Sequence, residues 1–491
     1  MATFPGGASV STLTEALNQD PNVKGMFWSR LLELSAKTND DFSRLEGEED
    51  SLKPFWKKTD LKKGGGDTIV FTTFGDISGP GVRGETPLTG NTSTLDFGTY
   101  KCQIDYWRDG VEITKKKENF LAAGNRLVAT IVNQLGKKLG RKRMYDMMIK
   151  CLRVADNKKT NILRPNNRQS RDDIRTTDVL TPTFLVEAQA RLKTKGARPV
   201  GLELSRSGSP VYHHLLFVGQ DAFADIRNST PYQNALNHAA ARGDANPQFS
   251  GKVVPLNGLH IWEHVIVNPD TKDAIGSPML PQAILGEAIT AGTTTFDIKG
   301  SSDANSKSEF FAFFPGFDYV WAEGQDANPD TNTYYVWIVN PPDAAVNPGK
   351  AGFYSYTGST GNNGKKLTVA KRLGSAASGD RVTKLGEVEW DSDTMTDAHP
   401  VGSTIVYANK WGTPIAFNFV FGAGTALRAY GKIEKKDLKE SRDYGFVNGY
   451  GVESIFGQTP TVDTQGQPRN YLVLESAVEP TGVRVPAVEP A

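Results

Sequence analysis

His260-Ile261-Trp262-Glu263-His264 has the spacing H-x-x-E-H. Inverted zinc peptidases use that pattern to hold a metal with two imidazoles and to place a carboxylate beside it as general base. The chemistry requires a helix, which puts both histidines on one face. Here Gly258-Leu259 precedes the segment, and Val265-Ile266-Val267-Asn268-Pro269 follows it. Branched residues closed by Asn-Pro predict a strand. On a strand His260, Trp262 and His264 point one way and Glu263 the other, so the reading as sheet-face histidines prevails. Gly79-Pro80-Gly81-Val82-Arg83-Gly84 matches G-x-G-x-x-G. A dinucleotide site needs a strand before this pattern and a helix N-terminus after it, so that amides face a pyrophosphate. A strand precedes it, but Glu85-Thr86-Pro87-Leu88-Thr89-Gly90-Asn91 cannot start a helix. The segment reads as a hairpin tip. Cys102 and Cys151 each sit in an apolar pattern and read as buried structural thiols. His213-His214 opens a strand and reads as surface and core in alternation. The expectation is no catalytic residue, no cofactor and no metal.

The chain has 491 residues, a mass of 53.5 kDa, 38% hydrophobic and 23% charged residues. That composition supports packed cores and more than one domain. Lys+Arg 56 against Asp+Glu 55 gives a net charge of +1, which excludes a simple polybasic DNA-binder and an acidic tail protein. The balance conceals one local excess: residues 115–171 hold sixteen Lys and Arg against Glu118, Asp146 and Asp156. No apolar run reaches the ~18 residues of a membrane span. The first residues have neither the basic start nor the apolar stretch of a secretory signal. Two cysteines point to a reducing compartment. Forty-nine glycines point to many turns.

These residues need elements to position them. Residues 21–36 carry Phe27, Leu31 and Leu34 at helical spacing. Nothing in residues 1–50 closes a core, so the segment reads as an arm lying on something else. Two β-rich runs flank the Gly-, Pro- and Thr-rich tip 79–91, and together they predict a long hairpin over 60–113. Leu95 and Phe97 share one face while Tyr100, Cys102, Ile104 and Tyr106 share the other, which predicts a bulge at Gly98. Residues 116–154 follow the i, i+3, i+4 pattern of a long helix with a bend at Gly136 or Gly140. Thr181 as cap, Pro182 and Gly196 frame a second helix. Strands and helices then alternate to about 285, as in a compact α/β domain. From 286 to 400, short aromatic strands between Gly, Ser, Asn and Pro loops predict a small all-β unit. Longer apolar runs resume at 401–440, and 470–477 reads as a final strand.

This order resembles the major capsid proteins of tailed bacteriophages, in particular the podovirus branch typified by coliphage N-four. The resemblance rests on residues 61–71 (LKKGGGDTIVF), the G-x-G-x-x-G tip, Leu88-Thr89-Gly90-Asn91, and Ile104-Asp105-Tyr106-Trp107-Arg108. Further on it rests on residues 240–251 (AARGDANPQFSG), on the His260/His264 strand, and on Tyr444-Gly445-Phe446. It covers about 60–285 and 401–475, and the 286–400 segment departs from it.

The resemblance implies an α+β capsid fold without catalysis or cofactor. Its parts are an N-terminal arm (1–59), an extended hairpin loop (60–115) and a peripheral domain with a spine helix (116–180). An axial domain (181–285) follows, then a β-rich insertion (286–400), an axial return (401–440), and a peripheral strand with a tail (441–491). It implies hexamers and pentamers of the chain in an icosahedral head around double-stranded DNA. Scaffold, portal and decoration proteins are the further partners implied, with assembly in the host bacterial cytoplasm. Gly79, Gly81, Arg83, Gly84, Glu85 and Asn91 are the expected inter-subunit residues of the loop. Lys137, Lys138, Arg141, Lys142 and Arg143 are expected on the lumenal face. Two other readings stand beside it. One is a zinc-dependent hydrolase using the H-x-x-E-H segment. The other is a glycan-binding platform formed by Phe310, Phe311, Phe314, Trp321, Tyr334, Tyr335 and Trp337.

Overall fold

The computed structural model describes residues 21–59, 68–74, 81–85, 87, 89, 92, 97–114, 124–204, 210–234, 258–264, 279–280, 282–285, 288–289, 295–297, 333–341, 344, 351–359, 366–373, 390–392, 398–400, 402–437, 447–463 and 466–479. The chain divides into two compact units. The first takes Met1–Lys150 and Gly424–Gly466; the second takes Cys151–Ala423 and Gln467–Ala491.

In the first unit, α1 (Pro21–Thr38) packs against α2 (Gly124–Lys158). α2 runs as one continuous helix through Gly136 and Gly140. Its two glycines have another purpose. A Cβ at Gly136 would lie 2.7 Å from Ser35 Cβ, and one at Gly140 would lie 2.3 Å from the Ala36 carbonyl oxygen. The backbone of α1 approaches too closely for any side chain there. Ser35 Oγ donates to the Asn133 carbonyl at 2.8 Å in the same contact. Leu32, Ala36, Phe42 and Phe55 are fully buried, and the Phe42 and Phe55 rings lie 4.4 Å apart. Residues 28–58 therefore help to close the core of their own unit, which corrects the reading of an arm without a core for residues 28–50. The side chain of Asp40 caps the 3₁₀ turn Asp41–Leu45 by accepting from Phe42 N at 3.1 Å.

A five-stranded sheet completes this unit. It contains β1 (Glu46–Gly47), β2 (Phe55–Lys58), β5 (Asp105–Thr114), β18 (Ala426–Asp437) and β19 (Val447–Pro460), in the order β1-β2-β18-β19-β5. β18 lies in this sheet, although the sequence assigned 401–440 to the axial return. The hairpin is β3 (Thr68–Phe74) paired antiparallel with β4 (Phe97–Gln103), from Thr68 opposite Gln103 to Phe74 opposite Phe97. Its register runs without a shift past Gly98, so the expected bulge is not there. The interruption falls at Ile104, where the chain leaves β3 and continues as β5 on β19. Gly457 makes this change of partner possible: a Cβ there would lie 2.2 Å from the Gln103 carbonyl oxygen. Ile69, Phe71, Cys102 and Ile104 bury their side chains against Leu427 and Ala429. That contact matters because a two-stranded hairpin alone is marginal in water.

The second unit has two sheets. The mixed sheet contains β6 (Ile162–Leu163), β7 (Val200–Leu204), β8 (Pro210–Gly219), β9 (Leu259–His264), β17 (Ile415–Phe421) and β20 (Tyr471–Ala477), in the order β6-β20-β17-β8-β7 with β9 parallel to β8. β17 and β20 are buried at every residue, and both are mainly apolar, broken only by Asn418, Glu475 and Ser476. α3 (Pro182–Thr194) begins and ends as the sequence predicts. Thr181 Oγ1 accepts from Phe184 N, Pro182 occupies the first turn, and Gly196 takes φ +75° beyond the end. α4 (Gln220–Asn228) follows β8 directly. Leu185, Leu192, Leu216, Ile226 and Leu472 join the two helices to the sheet in one core. Glu475 is buried on β20 between Arg164, whose Nε is 2.6 Å away, and Arg171.

The other sheet has seven antiparallel strands: β10 (Gln282–Ile284), β11 (Thr295–Asp297), β12 (Thr333–Val339), β13 (Ala351–Ser359), β14 (Lys366–Leu373), β15 (Trp390–Ser392) and β16 (Thr404–Ala408). The all-β expectation for 286–400 agrees with the strands described there, but the sheet also takes in β10 and β16 from the flanking segments. It falls within the same compact unit as the mixed sheet. No described helix is long and apolar enough to cross a membrane.

Two measurements test these contacts. Gly457→Ala is expected to cost about 1–3 kcal/mol of stability by overpacking, read from the denaturant midpoint. Burial favours the neutral form of Glu475, but Arg171 and Arg164 outweigh it and hold its carboxyl below the ordinary 4.5. A depressed carboxyl stabilises the fold above that value and loses the contribution as pH falls through the lower folded one. Glu475→Gln should therefore flatten the decline in stability below about pH 4.5.

Candidate assembly surface

The hairpin presents two different faces. Ile69, Phe71 and Cys102 point inward, and Val70, Thr99, Lys101 and Gln103 point outward to solvent. Gly81, Arg83, Gly84 and Glu85 of the tip are exposed. Gly81 and Gly84 take φ +66° and +68°, and no atom lies within 4 Å of where a Cβ would stand, so the backbone conformation alone requires glycine. Gly79 and Asn91 lie outside the described residues. What the described part offers is a polar strand face and an open glycine tip. No group in it is arranged for bond chemistry.

The five basic residues of α2 expected on the lumenal face do not share one environment. Lys142 and Arg143 are buried. Lys142 Nζ lies 3.2 Å from Asp146 Oδ1, one helical turn on. Arg143 donates to Ser454 Oγ at 2.9 Å and stacks between Tyr430 and Phe456, at 4.8 and 5.2 Å from the ring centroids. A guanidinium placed so is a packing element of its own unit. This corrects the expectation for both residues: neither is available to a ligand at the surface. Lys137, Lys138 and Arg141 remain partly exposed, and Lys138 Nζ is 2.6 Å from Asp109 Oδ2.

One cluster is absent from the sequence-based expectations. Arg428, on β18, has no exposure. Its Nη2 donates to Asp40 at 2.6 Å, its Nη1 to Glu46 at 2.7 Å, and its Nε to Gln458 at 2.9 Å. Tyr430 donates to Glu46 as well. A guanidinium with three directed partners is the form in which a buried charge is tolerated. The signal was a lone arginine in the apolar run Ile415–Tyr430, which periodicity alone does not single out.

The chemical motifs resolve as packing. β9 is a strand, as its flanks predict, and it runs parallel to β8 with Trp262 opposite Phe217. His264 is buried and stacks on Phe217 at 5.5 Å between ring centroids. His214 is buried against the Ala197 carbonyl while His213 is half-buried, the alternation read from sequence. Among the described residues no group of three or more His, Cys, Asp or Glu is placed to hold a metal ion. Cys102 and Cys151 are both buried and are not joined in a disulfide, and burial pushes the Cys102 thiol up to about 11. In the seven-stranded sheet Trp337 is fully buried, donates to the Gly412 carbonyl at 2.8 Å and packs on Phe353. It faces a core and cannot join a sugar platform; Phe310, Phe311, Phe314 and Trp321 lie outside the described residues.

The sequence profile of a family described as phage capsid protein matches residues 24–272, just over half of the chain. No curated protein matches the sequence significantly. Among solved structures, the chain is similar to the capsid of Ralstonia phage GP4 at 14% identity and TM-score 0.49, covering 91% of this chain and 93% of that one. It is similar to the Cyanophage Pam1 capsid asymmetric unit at 13% identity and TM-score 0.48, covering 89% and 92%. It is also similar to the acid-stable capsid of Helicobacter pylori bacteriophage KHP30, at 11% identity and TM-score 0.47, covering 89% and 92%.

Arg428→Leu is expected to destabilise the protein by about 3–5 kcal/mol, because it leaves the buried Asp40 carboxylate without its guanidinium partner. Thermal unfolding of the variant beside the parent measures it.

Proposed function

The chain belongs to the phage capsid protein family, and on that premise we propose that it builds the icosahedral head of a podovirus of the branch typified by coliphage N-four. Family membership makes it a structural protein of the head shell and not an enzyme. Its chemistry is self-association: many copies repeat one contact until the shell closes. The family match carries the reading, and the hairpin supports it. A strand pair with a buried inner face, an open outer face and a glycine tip suits a part that lies across an adjacent subunit.

In this reading the subunits form hexamers and pentamers. Gly79, Gly81, Arg83, Gly84, Glu85 and Asn91 contact the neighbour, and the tip's backbone freedom fits it to slightly different neighbours. The basic stretch 115–171 faces packaged double-stranded DNA through its surface members, Lys137, Lys138 and Arg141. Such phosphate contacts are sequence-independent and weaken with salt. Scaffold, portal and decoration proteins join the shell, which assembles in the host bacterial cytoplasm. The 286–400 segment, which supplies five strands of the seven-stranded sheet, is the part by which this chain departs from the shorter members of its branch.

Negative-stain microscopy of the chain expressed alone tests the reading. Shells, tubes or rings are expected, and a monodisperse monomer at high concentration would refute it. Replacing residues 79–91 by a two-residue turn should leave thermal unfolding unchanged and abolish particles. Particles of parental size from that variant would remove the tip from assembly.

A further inference from the structure

β5 is the outermost strand of its sheet: β19 covers one side, and no described strand covers the other. It is ten residues long, with Tyr106 58% and Val111 40% exposed. A long edge of this kind is a template for a foreign strand. On an edge strand, the N–H groups of alternate residues face off the sheet. Tyr106 and Gly110 share that parity, and each of their N–H groups is occupied by the preceding side chain. Tyr106 N donates to Asp105 Oδ1 at 2.7 Å, and Gly110 N donates to Asp109 Oδ1 at 2.9 Å. The same device therefore recurs four residues apart along one edge. The second carboxylate is fixed by its other oxygen, since Lys138 Nζ lies 2.6 Å from Asp109 Oδ2.

We infer that Asp105 and Asp109 guard the β5 edge against antiparallel pairing with a second copy of this chain. The strand is self-complementary. With Gly110 on a two-fold axis, Arg108 of each copy stands opposite Glu112 of the other, Trp107 opposite Ile113, and Tyr106 opposite Thr114. Opposite charges and aromatic–branched neighbours across strands favour pairing. A carboxylate already bonded to the outward N–H must leave before a foreign carbonyl can take its place, and this local side-chain bond competes with the ladder. The guard belongs to the free subunit and stands whether or not the chain builds a shell.

The test uses the full-length chain, cleared of any particles. Light scattering gives its mass, and hydrogen exchange reports on the peptide containing 105–114. The Asp105→Ala/Asp109→Ala variant is expected to double in mass at the parent's concentration and to exchange more slowly in that peptide. Asp105→Asn/Asp109→Asn keeps an acceptor oxygen at both places and is expected to retain the parent's mass. Adding Glu112→Lys to the alanine pair sets like charges opposite one another and should restore the parent's mass, which separates strand pairing from misfolding. The inference is overturned if the alanine pair matches the parent in mass and exchange. It is equally overturned if Glu112→Lys leaves the doubling intact, or if the parent itself pairs through this peptide.

Discussion

Arg428 is withdrawn from water, and its charge can persist there only because Asp40 and Glu46 are brought to it. That requirement organises the first unit. Asp40 follows α1, Glu46 begins β1, and Arg428 lies on a strand almost four hundred residues later. Satisfying one guanidinium thus fixes where the N-terminal helix ends and where the late strand pair enters. The glycines of α2 and the Phe42–Phe55 contact have defined positions because α1 is held in this way.

The same rule separates packing from function among the polar residues. Lys142 and Arg143 looked like ligands for an anion when counted along the sequence, and their partners turn out to be Asp146, Ser454 and two aromatic rings. His264 belongs to a metal-binding spacing and His214 to a histidine pair, and both are sheet residues, on Phe217 and beside Ala197. Among the described residues, the surface of the hairpin and of β5 consists of a strand face, a strand edge and a loop tip. Such surfaces recognise shape and backbone, in keeping with a subunit whose partners are copies of itself.

Local features were legible and distant ones were not. The cap at Thr181, the stop at Gly196 and the strand at 259–264 depend on neighbours within a few residues, so their chemistry is written in short segments. The change of strand partner at Ile104 depends on Gly457, and the burial of Arg428 on Asp40; no window of sequence contains both members of either pair. Periodicity finds the length of α2 but cannot say that Gly136 and Gly140 admit the backbone of a second helix. Asp105 and Asp109 are plain in the sequence, and only the strand's position in its sheet reveals what they bond.

β17 and β20 are hydrogen-bonded neighbours, yet the forty-odd residues of the first unit's late strand pair intervene between them in the chain. The centre of the mixed sheet therefore stays open during translation until residues 471–477 have left the ribosome. β17 must wait with one edge unpaired, and closure depends on contacts of very long sequence separation, which form slowly. A nascent chain in this condition is exposed to misassociation and is a natural client for a holding chaperone. Stop codons or truncations that remove only the last strand should thus be far more damaging than their length suggests.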